Sequence, residues 1–438
     1  MQVDKTTLHD LSIFHKEEEQ SVFFKLNHTQ TNGGKEFLKK LIAKPLDNLN
    51  EIIDTQNTIN ELISLKNKLP KTITNGTIMV LESFFETAID NYPIQPNIIN
   101  SIIYKIFSAS DFSLTKYTVN HFIGFLHDLY LIAKSLKEQH SSHKLILWAD
   151  LIESLLKRPS INEILAFEKK TIISDSELLK FGRFLKHHYK EQCFKLLDIY
   201  NQLDAYLSLA TACELYTLHF PEIKESKNPY LKTEGLYHLL LENPVCYSID
   251  FDEQKNFLFL TGANMAGKST FIKGIGISVY LAHIGIGVPA KSMKLSLFDG
   301  LLTNIQVEDN LLKGESFFFN EVQRIKRTVD KLGNKKKWMI LIDELFKGTN
   351  VQDAMKCSTS VIEGLRKTND SLFVLSTHLY EIADGLMQFN NIDFKYFETR
   401  IEEKKLHFSY QLQNGVSNDR LGFLILEREG VVEMLNKL

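Results

Sequence analysis

The stretch FLFLTGANMAGKST, Phe257 to Thr270, decides how the rest of the chain is read. Phe257 to Leu260 have the composition of a buried strand, a Gly-rich loop follows, and a helix is expected to begin near Lys268. Gly262, Gly267, Lys268 and Ser269 fit G-x-x-x-x-G-K-[ST], a loop whose backbone N–H groups and following helix N-terminus cradle phosphates. Ala263, Asn264, Met265 and Ala266 form the cradle between the glycines, and Thr270 continues the first helical turn. Lys268 would reach the β- and γ-phosphates and the Ser269 hydroxyl would ligate Mg²⁺. The alternative is a Gly-rich strand-to-helix turn that matches by chance. The strand before and the helix after favour the phosphate site, with ATP and Mg²⁺ as its ligands.

Beyond this helix the pattern alternates strand and helix. Leu301 to Ile305, Trp338 to Ile342 and Leu372 to Leu375 read as buried strands, and helices are expected near 316–331, 353–366 and 379–388. This predicts an α/β domain with a mainly parallel sheet and ligands beyond the carboxyl ends of its strands. The run Trp338 to Ile342 ends in Asp343-Glu344. Asp343 suits an acidic contact to Mg²⁺ through water, and Glu344 suits the general base that polarises the attacking water. A lone strand ending in Asp-Glu means little, but downstream of a phosphate loop it points to hydrolysis. His378 in Ser376-Thr377-His378 follows another apolar strand. It could donate a hydrogen bond to a γ-phosphate, or be a surface histidine.

At 438 residues the chain has room for two or three domains. A net charge of −3 argues against a surface coated in basic residues, so any nucleic-acid contact must come from a local patch or a channel between two subunits. Cys193, Cys213, Cys246 and Cys357 are scattered with no C-x-x-C pair, which indicates thiols in a reducing compartment rather than a zinc site or disulfide framework. The N-terminus does not read as a signal peptide, and no apolar run has the length of a membrane span. A soluble, cytoplasmic protein with no membrane partner is expected.

Upstream, residues 8 to 65 read as short helices. A tight turn is expected at Thr31-Asn32-Gly33-Gly34, then a helix with Phe37, Leu38, Leu41 and Ile42 on one face that stops at Pro45. Asp47 or Asn48 would cap the next helix, which carries Ile52, Ile53, Ile59 and Leu62. Lys35, Lys39, Lys40 and Lys44 read as a solvated face, with a nucleic-acid contact as the rival reading. From 72 to 180 the pattern stays helical and carries no recognisable chemistry. Over 186–218, Leu196, Ile199, Leu203, Tyr206, Ala210 and Cys213 recur three and four apart, the seam of a long packed helix. Pro221 closes this region and Asn243-Pro244 marks the entry to the nucleotide-binding part.

Taken together, these motifs resemble those of the MutS family of DNA-repair ATPases. Gly262 to Thr270 is similar to the family's G-P-N-M-x-G-K-S-T and departs from it at Ala263. Asp343-Glu344-Leu345-Phe346-Lys347-Gly348-Thr349 matches D-E-x-x-x-G-T, with Asp353 at the acidic position just beyond. Thr377-His378-Leu379-Tyr380-Glu381-Ile382 resembles T-H-x-x-E-L, and Lys313-Gly314-Glu315-Ser316-Phe317-Phe318 resembles S-G-x-S-T-F. Asn27-His28-Thr29-Gln30-Thr31 with Pro45-Leu46, Leu203 to Ala210, and Gly415, Gly422 and Gly430-Val431 extend the likeness over nearly the whole chain. Phe84-Phe85-Glu86 contains the Phe-x-Glu triplet with which the family reads mismatches, but it lies in an amphipathic stretch that favours core packing.

The resemblance implies an α + α/β organisation: a helical core and lever domain over 1–235, then an ABC-type P-loop NTPase domain over 236–438 with a mainly parallel sheet. It implies an ATPase that works as a homodimer on duplex or branched DNA in repair or recombination, with other repair proteins among its partners. Gly314 and Ser316 would then reach the nucleotide of a second subunit, and Asp353 would join the nucleotide-binding set; the rival for Ser316 is a cap of its own helix. No mismatch-reading domain, connector or Smr nuclease is expected, the clamp and the terminal helix-turn-helix would be reduced, and mismatch recognition is not expected. The rival functions are an ATPase on another assembly, such as a junction or a ribosome, and a nucleotide-gated scaffold with little turnover. Glu344 and His378 together argue against the scaffold.

Overall fold

A computed structural model describes residues 1–89, 92–138, 142–167, 173–306, 317–332, 335–402, 405–417, 427 and 430–436. Packing divides the chain into two compact units, one of Met1–Lys25, Lys44–Ile52 and Leu215–Leu438, the other of Leu26–Ala43 and Ile53–Glu214. The first unit thus takes in the opening residues and 215–235, which a single cut after 235 would assign to the helical half.

Among the described residues the first unit holds eleven strands: β1 Gln2–Val3, β2 Glu222–Lys224, β3 Leu231–Leu236, β4 Tyr247–Phe251, β5 Phe257–Thr261, β6 Ser292–Ser296, β7 Gly300–Asn304, β8 Trp338–Asp343, β9 Ser371–Ser376, β10 Ile392–Glu402 and β11 Lys405–Asn414. Seven form one sheet in the order β1-β7-β8-β9-β5-β10-β11, parallel except for the antiparallel β10–β11 pair. Every residue of β5, β8 and β9 is buried, which explains why they read as unbroken apolar runs: a central parallel strand is covered on both faces. Leu260 pairs with Ser376 and Ser376 with Asp343, so the carboxyl ends of β5, β9 and β8 finish level. The expected helices run over Phe317–Leu332, Val351–Leu365 and, as a short 3₁₀ turn plus one helical turn, Tyr380–Leu386.

Two parts of this unit carried no clear sequence signal. A second sheet, β2-β6-β3-β4, mixes parallel and antiparallel pairs. The chain also opens with β1, only two residues long, paired in parallel with β7. The helix Lys5–Asp10 follows, and the buried Asp10 carboxylate accepts from Thr303 Oγ1 (2.7 Å), Ile305 N–H (3.0 Å) and Gln306 N–H (3.3 Å).

The second unit is helical. Its longest helices are Ala109–Lys137 and Lys190–Leu215. All six seam residues from Leu196 to Cys213 are buried, but the helix starts at Lys190 rather than 186. Tyr189 breaks it, leaving helical geometry while its buried ring sends the hydroxyl to Leu155 O at 2.9 Å. The turn expected at Thr31–Gly34 is also corrected. Asn32 already begins a helix that runs to Ala43, and Thr31 Oγ1 accepts from Gly34 N–H at 2.9 Å. The two glycines are there for room: a Cβ on Gly33 would strike Asn201, and one on Gly34 would strike Asp204. Asn48 is the cap of the following helix, accepting from Asn50 and Glu51 N–H. Phe84 and Phe85 are core, each edge-on to Phe122 at 6.0 and 5.8 Å, as the amphipathic setting of that triplet indicated.

Candidate active site

The chain leaves β5 through Gly262 at φ 137° and enters the helix Lys268–Ile284 through Gly267 at φ 104°, both in the left-handed region where a side chain is strained. A side chain on Gly267 would in addition meet the Tyr410 ring at 3.3 Å. The loop folds back on Lys268, whose ammonium donates to Gly262 O (2.7 Å) and Ala263 O (2.9 Å). Burial lowers the Lys268 pKa to about 8, against the opposing pull of the Glu344 and Asp343 charges.

Asp343 ends β8 with both carboxylate oxygens engaged, Oδ2 by the Ser269 hydroxyl at 2.5 Å and Oδ1 by the Ser376 hydroxyl. Glu344 follows at φ 64°, with its N–H on Ser376 O at 3.0 Å. Its carboxylate meets His378 Nε2 at 2.6 Å and Lys347 Nζ at 2.9 Å. Burial pushes this carboxyl up, but the hydrogen bonds and charges of His378 and Lys347 outweigh it and hold the pKa at about 2. His378 Nε2 also stands 3.3 Å from Lys268 Nζ, and one ring nitrogen cannot both donate to Glu344 and accept from Lys268. The shorter contact assigns its proton to the Glu344 side.

These groups share a cleft of about 610 Å³. It is lined by Ala263, Asn264, Met265, Gly267, Lys268, Ser269, Thr270, Asp343, Glu344 and His378, so most of the expected site residues converge; Gly262 and Ala266 lie in the same loop without lining it. Asp353 does not line it. It sits in the first turn of the helix Val351–Leu365, where its N–H and carboxylate are held by Asn350. Gly314 and Ser316 lie outside the described residues.

The structure adds cleft residues that the motifs did not single out: His238, Tyr247, Lys347 and Tyr410. Tyr247 is fixed by edge-on contacts to Phe271 (5.1 Å) and Phe397 (5.7 Å). Tyr410 stands at an irregularity of the β10–β11 pairing with φ 52°, a conformation rare for a tyrosine that turns up at functional sites. Burial and the Lys273 charge lower the His238 pKa to about 4, leaving it neutral at pH 7. Only Lys347, three residues past Glu344, had a local signal.

The donors fit the ligands expected. Gly-rich backbone, a buried ammonium and a helix N-terminus suit phosphates. Ser269 beside Asp343 suits Mg²⁺, which takes one or two protein oxygens and completes its shell with phosphate and water.

A mainly parallel sheet with a G-x-x-x-x-G-K-S loop, a strand-end Asp-Glu pair and a facing histidine at three level strand ends defines an α/β protein whose cleft lies beyond the carboxyl ends of its strands. Comparison with known sequences makes the assignment specific: a model of MutS domain V matches residues 258–435 and one of MutS domain III matches residues 6–313, and the chain belongs to the MutS family. It is 28% identical over 273 residues to the DNA mismatch repair protein MutS of Thermotoga sp. (strain RQ2), covering 61% of this chain and 34% of that one. It is 30% identical over 293 residues to that of Leptospira interrogans, covering 64% and 34%, and 27% over 240 residues to that of Lactococcus lactis, covering 53% and 28%. The chain therefore spans about a third of the length of these curated relatives. Among the described residues no helix is long and apolar enough to cross a membrane.

Proposed function

We propose that this chain is an ATPase of the MutS type that couples ATP binding and hydrolysis, in a homodimer, to nucleic-acid binding in DNA repair or recombination. In this reading the helical unit is the core and lever, and the sheet-bearing unit is an ABC-type ATPase. The placement of β9, with its His378 loop, between β5 and β8 supports that type. The observation that carries the reading is the meeting of Lys268, Ser269–Asp343 and Glu344–His378 in one cleft at level strand ends.

Bound Mg²⁺ would supply charge neutralisation at the phosphates, held by Ser269 and, through water, Asp343. Lys268 binds the phosphates, and Tyr247 and Tyr410, which line the cleft beside Gly267, border the space left for a base. Glu344 orients and deprotonates the attacking water. A carboxylate with a pKa near 2 is a weak base, so His378 and Lys347 must turn from Glu344 towards the anionic substrate before it can act.

ATP turnover with homoduplex, mismatched and branched DNA and with RNA tests this reading. Glu344→Gln is expected to keep ATP binding and lose about 10²-fold or more in turnover, whereas Lys268→Ala loses binding. Wild-type hydrolysis by Glu344→Gln would exclude it as the base. For the composite site, mixing Ser316→Ala with Lys268→Ala subunits should restore part of the activity that each lacks alone. Concentration-independent turnover by a species that stays monomeric with ATP would exclude it.

A further inference from the structure

Glu321 lies on the helix Phe317–Leu332 and belongs to none of the motifs above. Its buried carboxylate is spent on backbone: Oε1 accepts from Lys347 N–H at 3.1 Å and Oε2 from Gly348 N–H at 3.2 Å. Two consecutive N–H groups caught by one carboxylate fix the peptide planes on either side of Lys347. Burial pushes the Glu321 carboxyl above its ordinary value, and these N–H groups oppose the shift.

The same loop is pressed on the helix from two further directions. A Cβ on Gly348 would come within 2.8 Å of both the Phe318 backbone nitrogen and the Phe317 ring. The Phe318 ring packs against Phe346 at 5.6 Å. The segment held in this way is under backbone strain, with Glu344 at φ 64° and Phe346 at φ 59°. Such conformations are costly for residues with a side chain and persist only where the surroundings over-determine them. From the anchored backbone the Lys347 side chain turns back to Glu344.

We propose that Glu321 is a positioning residue for hydrolysis: by gripping the backbone of Lys347 and Gly348 it holds the loop that keeps Glu344 in its left-handed conformation at the cleft. The proposal rests on the reading of Glu344 as the base. Glu321 touches neither substrate nor water in this role; it acts through the loop.

The test uses steady-state ATP turnover and ATP binding by the full chain carrying Glu321→Gln, Lys347→Ala, both together, Gly348→Ala, or Glu344→Gln. Glu321→Gln keeps shape but replaces one acceptor oxygen with a donor. Its kcat is expected to fall about tenfold or more while ATP affinity stays within about twofold. Gly348→Ala, which lifts the loop off the helix without touching a carboxyl, should give the same split and carries the test if Glu321→Gln does not fold. The double variant should lose no more than its worse single parent, since both act on one loop. Wild-type kcat in Glu321→Gln alongside an inactive Glu344→Gln would overturn the positioning role. So would an equal loss of affinity and kcat, or losses that multiply in the double variant. Full activity in Glu344→Gln would instead sink the reading of the base, and this proposal with it.

Discussion

Lys268 holds two loop carbonyls with an ammonium whose pKa burial has lowered to about 8. A bound polyphosphate favours the charged form, so the pKa in the complex is higher than in the free protein. The sign follows by linkage. Below pH 8 the lysine is charged before and after binding and affinity is flat; above pH 8 binding must take up a proton, and affinity falls by up to about tenfold per pH unit. Titrations with ATP at pH 7 and 9.5 check this, and equal affinities would contradict it. At this scale the loop residues that meet in the cleft were legible because they are contiguous and follow the G-x-x-x-x-G-K-[ST] spacing. Tyr247 and Tyr410, which line the cleft, and Glu321, which holds the Lys347–Gly348 backbone, were not, because each lies in a stretch with no spacing constraint of its own. Tyr410 in addition depends on a bulge that no pattern announces.

At the scale of elements, glycines in helices separate packing from propensity. Gly34 lies in the helix Asn32–Ala43, and a Cβ there would stand 2.8 Å from Asp204 Cγ, on a carboxylate that accepts from Gln30 and Thr31 N–H. Gly124 lies in the helix Ala109–Lys137 with nothing within 4 Å of the same position. Gly34→Ala is therefore expected to destabilise by about 1–3 kcal/mol through overpacking. Gly124→Ala should stabilise by about 0.5–1 kcal/mol through helix propensity. Urea midpoints that moved in the same direction for both would refute this. Sequence reading mistook Gly33-Gly34 for a turn because glycine marks backbone freedom and close packing alike. The central strands were legible because burial on both faces leaves an apolar run, whereas β2, β3, β4 and β6 interleave exposed residues with buried ones.

For the whole molecule, a net charge of −3 makes any duplex binding a property of local patches. Such binding is expected to fall steeply between about 50 and 200 mM salt, because it draws on phosphate contacts; an affinity unchanged over that range would contradict this. The change from helical runs to alternating strand and helix was legible, and it was placed at 235/236. The share of the first 25 residues in the sheet-bearing unit was not, because two residues of strand leave no periodicity to read.

That pairing of β1 with β7 has a consequence for synthesis. Gln2 and Val3 are made about 300 residues before Gly300 and Leu301, and Asp10 likewise waits for Thr303 to Gln306. At roughly 5–20 residues per second the delay is on the order of 15–60 s. Within it the whole helical unit, 26–43 and 53–214, leaves the ribosome and can fold. The segment around β1 is therefore made early and covered late, and Leu11, buried in the finished protein beside Gly276, spends that interval open to chaperones and proteases.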